Sequence, residues 1–372
     1  MFQFVKVLYK MNTLYLILSF LAINIFDYSI AQNNIVLCGE NYSIFKNAKN
    51  FNKIFEQKEI IYFQIKDLII GEISKLLVFD HGNKFLIYDK IADELLLVDS
   101  KKKTFKKLSI EDKIPGERIR FASFCVNPDS GFWVSSYPKY YILFNNEGII
   151  KRIISTDISN SSFKFGIYLS KEIIAISREW NKPQSLISID LKNNKTNKLV
   201  NLNFDKELSI LDHKMPDFGG LLIDKEGYIY IANALENKIY KYNNQKKVTV
   251  FKSKNNKFKT IDNDLLENKD VIIELFRKKI QFSSVMNMFF LNDDLIFITY
   301  LIEENLYFDI FNKNNGEAIN TENAILPGLA LYGSNKSIYI AKEPEVLDKN
   351  GNIENPILYR YEINKKYKRG TI

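Results

Sequence analysis

From residue 73 onward, short apolar runs alternate with clusters of Asn, Asp, Gly and Lys. The clearest copy of the pattern is 217–251, DFGGLLIDKEGYIYIANALENKIYKYNNQKKVTVF, where four apolar segments are separated by Lys225-Glu226-Gly227, by 233–237 and by Asn243-Asn244. Apolar runs with period-two alternation, bounded by such residues, read as strands joined by tight turns. The stretch therefore predicts one antiparallel four-stranded sheet.

The same unit recurs six times, and a repeat period of about 40–50 residues built from short strands is the mark of propeller blades. The first unit has strands at 73–79, 85–88, 94–98 and 104–108, the second covers 121–154, the third 163–200, and the fourth is the stretch above. The fifth starts near Ser283, and the sixth ends with a strand at 357–362 and has no fourth strand. A lone apolar segment at 59–66, EIIYFQIK, has no hairpin partner nearby. Set beside the last unit, it completes the ring and removes an exposed sheet edge. The expected fold class is all-β, a six-bladed β-propeller closed by an N-terminal strand. A short inserted helix is expected at 264–279 between blades four and five, with Asp264 and Glu267 as a capping box and Leu265, Leu266, Ile272, Ile273 and Phe276 near helical spacing.

The chain start has a different pattern. Lys6 and Lys10 precede the apolar run 14–23, and Ser29-Ile30-Ala31 follows, which together make a basic region, a hydrophobic region and a small-x-small cleavage site. The expected organisation is a signal peptide at 1–31, a variable lead-in at 32–57, the propeller at 58–366 and a basic tail at 367–372. The apolar run is too short to span a bilayer comfortably, so cleavage leaves no transmembrane anchor and an exported, periplasmic or extracellular protein. Val36-Leu37 before Cys38 are not the small residues of a lipobox, which argues against lipid attachment. The two cysteines, Cys38 and Cys125, are too few for a disulfide scaffold or a zinc site, and either a bridge or two separate thiols fits them.

Composition supports the strand reading. The chain is 46% hydrophobic with 21 Tyr and 28 Phe, an ample core rich in residues that suit a pleated surface. The formal charge of +8 comes from lysines dispersed beside Asn in turn after turn. With no aromatic RNA-binding signature, finger spacing or basic helix, a nucleic-acid partner is not expected.

Residues 224–232, DKEGYIYIA, followed by 237–242, NKIYKY, resemble the core pattern of NHL-like and TolB-like exported bacterial propellers, as does Ile114-Pro115-Gly116-Glu117 between units one and two. Asn233 stands where that pattern has an acidic residue, and Lys238 where it has Arg. The resemblance covers roughly residues 55 to 365 and implies a fold shared by binding modules, scaffolds and a few enzymes.

In a propeller, the loops between second and third strands and those joining one blade to the next gather on one face. Here they hold Arg118, Tyr137, Arg178, Trp180, His213, Asp217, Asn233, Glu236 and Glu303. Arg178 with Trp180 offers charge and stacking to a protein, peptide or small polar ligand, with Arg118, Tyr137 and His213 as further contacts. His213 beside Asp217 has the makings of an oriented base. This leading reading is a non-enzymatic binding module without cofactor. Similarity to gluconolactonase-type propellers implies an alternative, a metal-dependent hydrolase holding Ca²⁺ with Asp217, Asn233 and Glu303. A third reading is a structural envelope scaffold. The chain has no nucleophile elbow, phosphate-binding loop, dinucleotide fingerprint or HExxH.

Overall fold

The computed structural model describes residues 51–110, 120–137, 139–156, 164–177, 184–202, 204, 219–243, 246–253, 255–260, 283–303, 305–319, 324–334, 336–342 and 355–364. The expected signal peptide, most of the lead-in, the inserted helix at 264–279 and the basic tail lie outside these residues. Among them are 23 strands in six antiparallel sheets, with a four-residue helix α1 (Phe51–Ile54) at the start.

Blade one is β2 (Ile73–Phe79), β3 (Lys84–Asp89), β4 (Glu94–Asp99) and β5 (Thr104–Leu108). Blade two is β6 (Arg120–Val126), β7 (Phe132–Tyr137), β8 (Tyr140–Phe144) and β9 (Ile150–Ser155). Blade three is β10 (Phe165–Tyr168), β11 (Glu172–Ser177), β12 (Ser185–Asp190) and β13 (Thr196–Asn201). Blade four is β14 (Gly220–Ile223), β15 (Tyr228–Ala232), β16 (Lys238–Asn243) and β17 (Lys246–Lys252). In each, sequence order is spatial order, and the first strands pack one against the next, with β2 also touching the first strand of blade six. The ring is closed.

Blade five departs from the repeat. Among the described residues its sheet has three strands, β18 (Ser284–Phe290), β19 (Leu295–Ile302) and β20 (Asn305–Asn312), and the fourth position holds two isolated bridges, Phe311 to Ala318 and Tyr307 to Ile325. The polar residues 320–323 between those bridges lie outside the described residues.

Blade six contains β21 (Leu329–Ser334), β22 (Ser337–Lys342) and β23 (Ile357–Ile363), and β1 (Phe55–Tyr62) pairs antiparallel with β23 as its outermost strand. The strand expected at 59–66 thus starts four residues earlier and ends at Tyr62, because the register runs from Phe55 opposite Ile363 to Tyr62 opposite Ile357. The length of β23 sets both ends.

Packing explains the sequence pattern. Blades stand face to face, so the middle strands are buried on both sides and read as nearly unbroken apolar runs, as in EIIAIS of β11 and LIFITYLI of β19. Outer strands meet solvent and carry polar side chains, as in TFKKL of β5. Six hydrophobic clusters fill the seams, one between each pair of adjacent blades. In the seam between blades five and six, Phe289, Phe297 and Phe308 stack at 5.0 Å spacings, and Phe51 and Phe55 add an aromatic pair from the N-terminal segment. Each such ring pair contributes about 0.5–1.5 kcal/mol beyond its buried area.

Turn chemistry follows the same economy. Gly227 adopts φ +86°, and a Cβ there would meet the Tyr168 ring at 2.7 Å. Cys125 lies half-buried in β6, and burial pushes its thiol pKa far above the ordinary range; Cys38 lies outside the described residues.

Four inner strands bulge at equivalent points, after Ile73, Phe121, Val285 and Ala330. The residue beyond the bulge reaches across the ring in two of them. Lys75 Nζ donates to the Ala122 carbonyl of the next inner strand, and Asn287 Nδ2 donates to the Ala330 carbonyl at 3.2 Å. The bulge re-aims a side chain toward a neighbouring blade, a recognised use of such irregularities.

Candidate functional site

Strand alternation gives the propeller two unlike faces. One carries the tight turns between first and second and between third and fourth strands, such as 224–227, where Asp224 Oδ1 accepts the Tyr228 N–H at 2.8 Å. The other carries the loops between second and third strands and the links between blades. The described candidates, Tyr137, Asn233, Glu236 and Glu303, belong to this loop face.

The other candidates, Arg118, Arg178, Trp180, His213 and Asp217, lie outside the described residues. Tyr137 ends β7, paired with Arg120 across the ladder, which sets its backbone at the loop-face end of blade two. Asn233 follows β15 and is buried. Glu303 follows β19 in a left-handed backbone conformation, φ 48°, and its side chain is exposed and paired with Lys259, which holds its carboxyl below the usual range.

Asn233 has a counterpart in blade one. Asp89 and Asn233 each stand five residues before the third strand of their blade, Glu94 and Lys238. The Asp89 carboxylate is buried and accepts four backbone N–H groups, those of Gly71 at 2.8 Å, Glu72 at 3.2 Å, Ile91 at 3.0 Å and Ala92 at 3.3 Å. Asn233 Oδ1 accepts, among the described residues, only the Leu235 N–H, at 3.1 Å. A carboxylate accepts with both oxygens, whereas an amide brings two donors. In a position shaped for acceptors, the Asn233 Nδ2 has no partner although the residue is 3% exposed.

Further polar groups surround it where blade four hands over to blade five. Glu236 is buried in the same loop and accepts the Tyr240 hydroxyl. Burial, with the Glu236 charge, pushes Tyr242 up to about 12. Asn237 Nδ2 donates to the Asn255 carbonyl at 3.3 Å, while Asn237 Oδ1 and Asn255 Nδ2 are buried and unpaired. Asn255 N–H donates to Ser253 Oγ at 2.9 Å, and the Ser253 hydroxyl donates to Asp309 of β20. Burial raises the Asp309 carboxyl, against hydrogen bonds from Ser253 and Tyr300. Lys257 Nζ meets the Tyr307 hydroxyl at 3.2 Å and lies 5.1 Å from its ring centre.

The bonds of Ser253 and Lys257 tie the chain after β17 onto blade five. Buried polar atoms in native proteins are nearly all hydrogen-bonded, so three unpaired amide atoms in one loop cluster make it the candidate site among the described residues. Sequence reasoning reached Asn233 and Glu236 but missed Asn237, Ser253, Asn255 and Asp309. One signal was present: Asp309 interrupts an apolar strand, NLYFDIFN, where a charge has no place without a partner. The described part of the site brings Asn233 and Glu236 together; it leaves Glu303 committed to Lys259.

No protein-family model matches the chain, and no curated protein matches it in sequence. Solved structures do. A Bacteroides fragilis protein described as exported superposes with a TM-score of 0.58 at 14% identity, covering 84% of this chain and 96% of that one. A member of the DUF4221 family from Bacteroides vulgatus gives 0.54 at 11% identity, covering 84% and 99%. A virginiamycin B lyase from Staphylococcus aureus gives 0.47 at 11%, covering 83% and 100%. At these identities the likeness is one of fold. The six-bladed propeller, and its likeness to propellers of exported bacterial proteins, hold in three dimensions.

Proposed function

We propose that the chain is an exported binding module, without catalysis of its own, that takes a protein, peptide or small polar ligand on its loop face. The observation behind this reading is the set of buried, unpaired amide atoms of Asn233, Asn237 and Asn255 at the junction of blades four and five. Two are donors and one is an acceptor, so the fitting ligand presents carbonyl, carboxylate or hydroxyl oxygens. Arg178 and Trp180, which the sequence pattern assigns to loops of the same kind, would add charge and stacking. Export is supported by the leader-like residues 1–31 and by the exported Bacteroides fragilis protein of the same fold. Among the described residues no helix is long and apolar enough to cross a membrane.

The hydrolase alternative has less support. Of its three proposed ligands, Asn233 uses its oxygen on the Leu235 N–H and Glu303 is paired with Lys259. The test of the leading reading is a thermal-shift screen of short peptides and polar small molecules on the full chain, with hits repeated on Asn233→Asp and Trp180→Ala. Asn233→Asp keeps the Leu235 bond and deletes the free donor. Hits should weaken about ten-fold in either variant, the cost of one good polar contact. Binding unchanged in both removes the loop face from consideration.

A further inference from the structure

The lysines that look dispersed in the sequence are sorted by the topology. The outermost strands of four consecutive blades, β5, β9, β13 and β17, read TFKKL, IKRIIS, TNKLVN and KKVTVFK, with no Asp or Glu in any of them. Lys106, Lys107, Lys151, Lys198, Lys246 and Lys247 are exposed there. Lys107 is paired with Glu94 at 2.7 Å, whereas Lys151, Lys198, Lys246 and Lys247 form no ion pair among the described residues. The closing strand β1 is mixed in sign, with Glu56 and Glu59 beside Lys58. More than half of the circumference is basic.

Charged side chains on edge strands discourage edge-to-edge pairing, and that accounts for the presence of charge. It does not account for one sign, because alternating Lys and Glu would protect an edge equally well, as β1 does. A run of one sign over four neighbouring edges creates a field that attracts anions. We infer that the rim of blades one to four is a second binding surface, separate from the loop face, for a linear polyanion. A flat anionic surface touches one or two blades of a curved rim at a time, whereas a flexible chain can follow all four. For an exported protein the polymer of that chemistry is an acidic polysaccharide, and this choice rests on the export proposed above.

The experiment uses the full chain and polygalacturonate, with duplex DNA and neutral dextran as comparison polymers. Binding should fall steeply with salt, and dextran should not bind. Replacing one lysine per edge (Lys106→Gln, Lys151→Gln, Lys198→Gln, Lys246→Gln) should weaken polygalacturonate binding about ten-fold or more, as loss of several screened contacts does. The same number of exposed lysines replaced elsewhere (Lys66→Gln, Lys171→Gln, Lys225→Gln, Lys336→Gln) should change it less than about two-fold. In the unaltered protein, bound polygalacturonate should shield Lys151, Lys198 and Lys246 from acetylation, a readout independent of any variant's folding. Equal loss in the two variant sets would show a net-charge effect only and overturn the rim. So would unshielded rim lysines, or tighter binding of DNA than of polygalacturonate, which would overturn the polymer class.

Discussion

Asn355 and Ile70 are 285 positions apart in the chain, yet the Asn355 Oδ1 accepts the Ile70 N–H at 2.7 Å. The same side chain donates through Nδ2 to the Phe63 carbonyl at 2.9 Å and the Leu68 carbonyl at 3.0 Å. One amide thus satisfies three backbone groups of the segment that links β1 to blade one. Asn355→Ala should lower unfolding free energy by about 1–3 kcal/mol, since the backbone groups lose their partners. A urea midpoint unchanged within error would show that the amide is incidental to closure.

Lys313 sits between blades four and five on the tight-turn face, 3.2 Å from Asp224 Oδ2 and 2.8 Å from Glu226 Oε2. Asp224 also accepts the Tyr230 hydroxyl at 3.0 Å. Lys313 and Asp224 are both nearly buried, so Lys313→Met should cost about 3–5 kcal/mol by leaving the Asp224 carboxylate without its cation. The double variant Lys313→Met with Asp224→Asn should recover much of that loss. If it recovers none, the cation acts through packing.

Asp309 makes stability depend on pH in a defined direction. Burial raises its folded-state pKa above the unfolded value, while hydrogen bonds from Ser253 and Tyr300 oppose the rise. The native state therefore keeps a proton that the unfolded chain has lost, and its favourable contribution disappears as pH rises through the folded value. Asp309→Asn should gain stability relative to the unaltered protein on going from about pH 4 to about pH 8. Chemical unfolding of both at the two pH values gives the comparison, and a constant difference would contradict the assignment.

Calcium discriminates between the two functional readings. A site of Asp217, Asn233 and Glu303 that holds Ca²⁺ would raise Tm, since a ligand at a hundred times its Kd adds about 2.7 kcal/mol to the folded state. With Asn233 and Glu303 already engaged, calcium should shift Tm no more than magnesium does. A larger shift, abolished by Asn233→Ala, would restore the hydrolase.

Local chemistry carried most of the fold. The turn residues Asp224 and Gly227 announce their turn within four positions, and blade one matches its expected strands to within a residue. Features set by distant partners were not readable. The start of β1 depends on where β23 ends, and the bond from Ser253 to Asp309 spans 56 positions. Lysines spaced evenly along a repeat are scattered in one dimension and aligned in three, because every fourth strand is an outer edge. The site was legible only where a single residue broke a local pattern, as Asn233 breaks the acidic position that Asp89 keeps.

The closing strand also decides where the chain leaves the ring. Asn364 N–H donates to the Ile54 carbonyl at 2.8 Å, so the two ends of the propeller part company side by side, at the point where other blades have their third turn. That point is on the tight-turn face. A tether joined directly beside Ile54 or Asn364 would hold the propeller by the face opposite its loops.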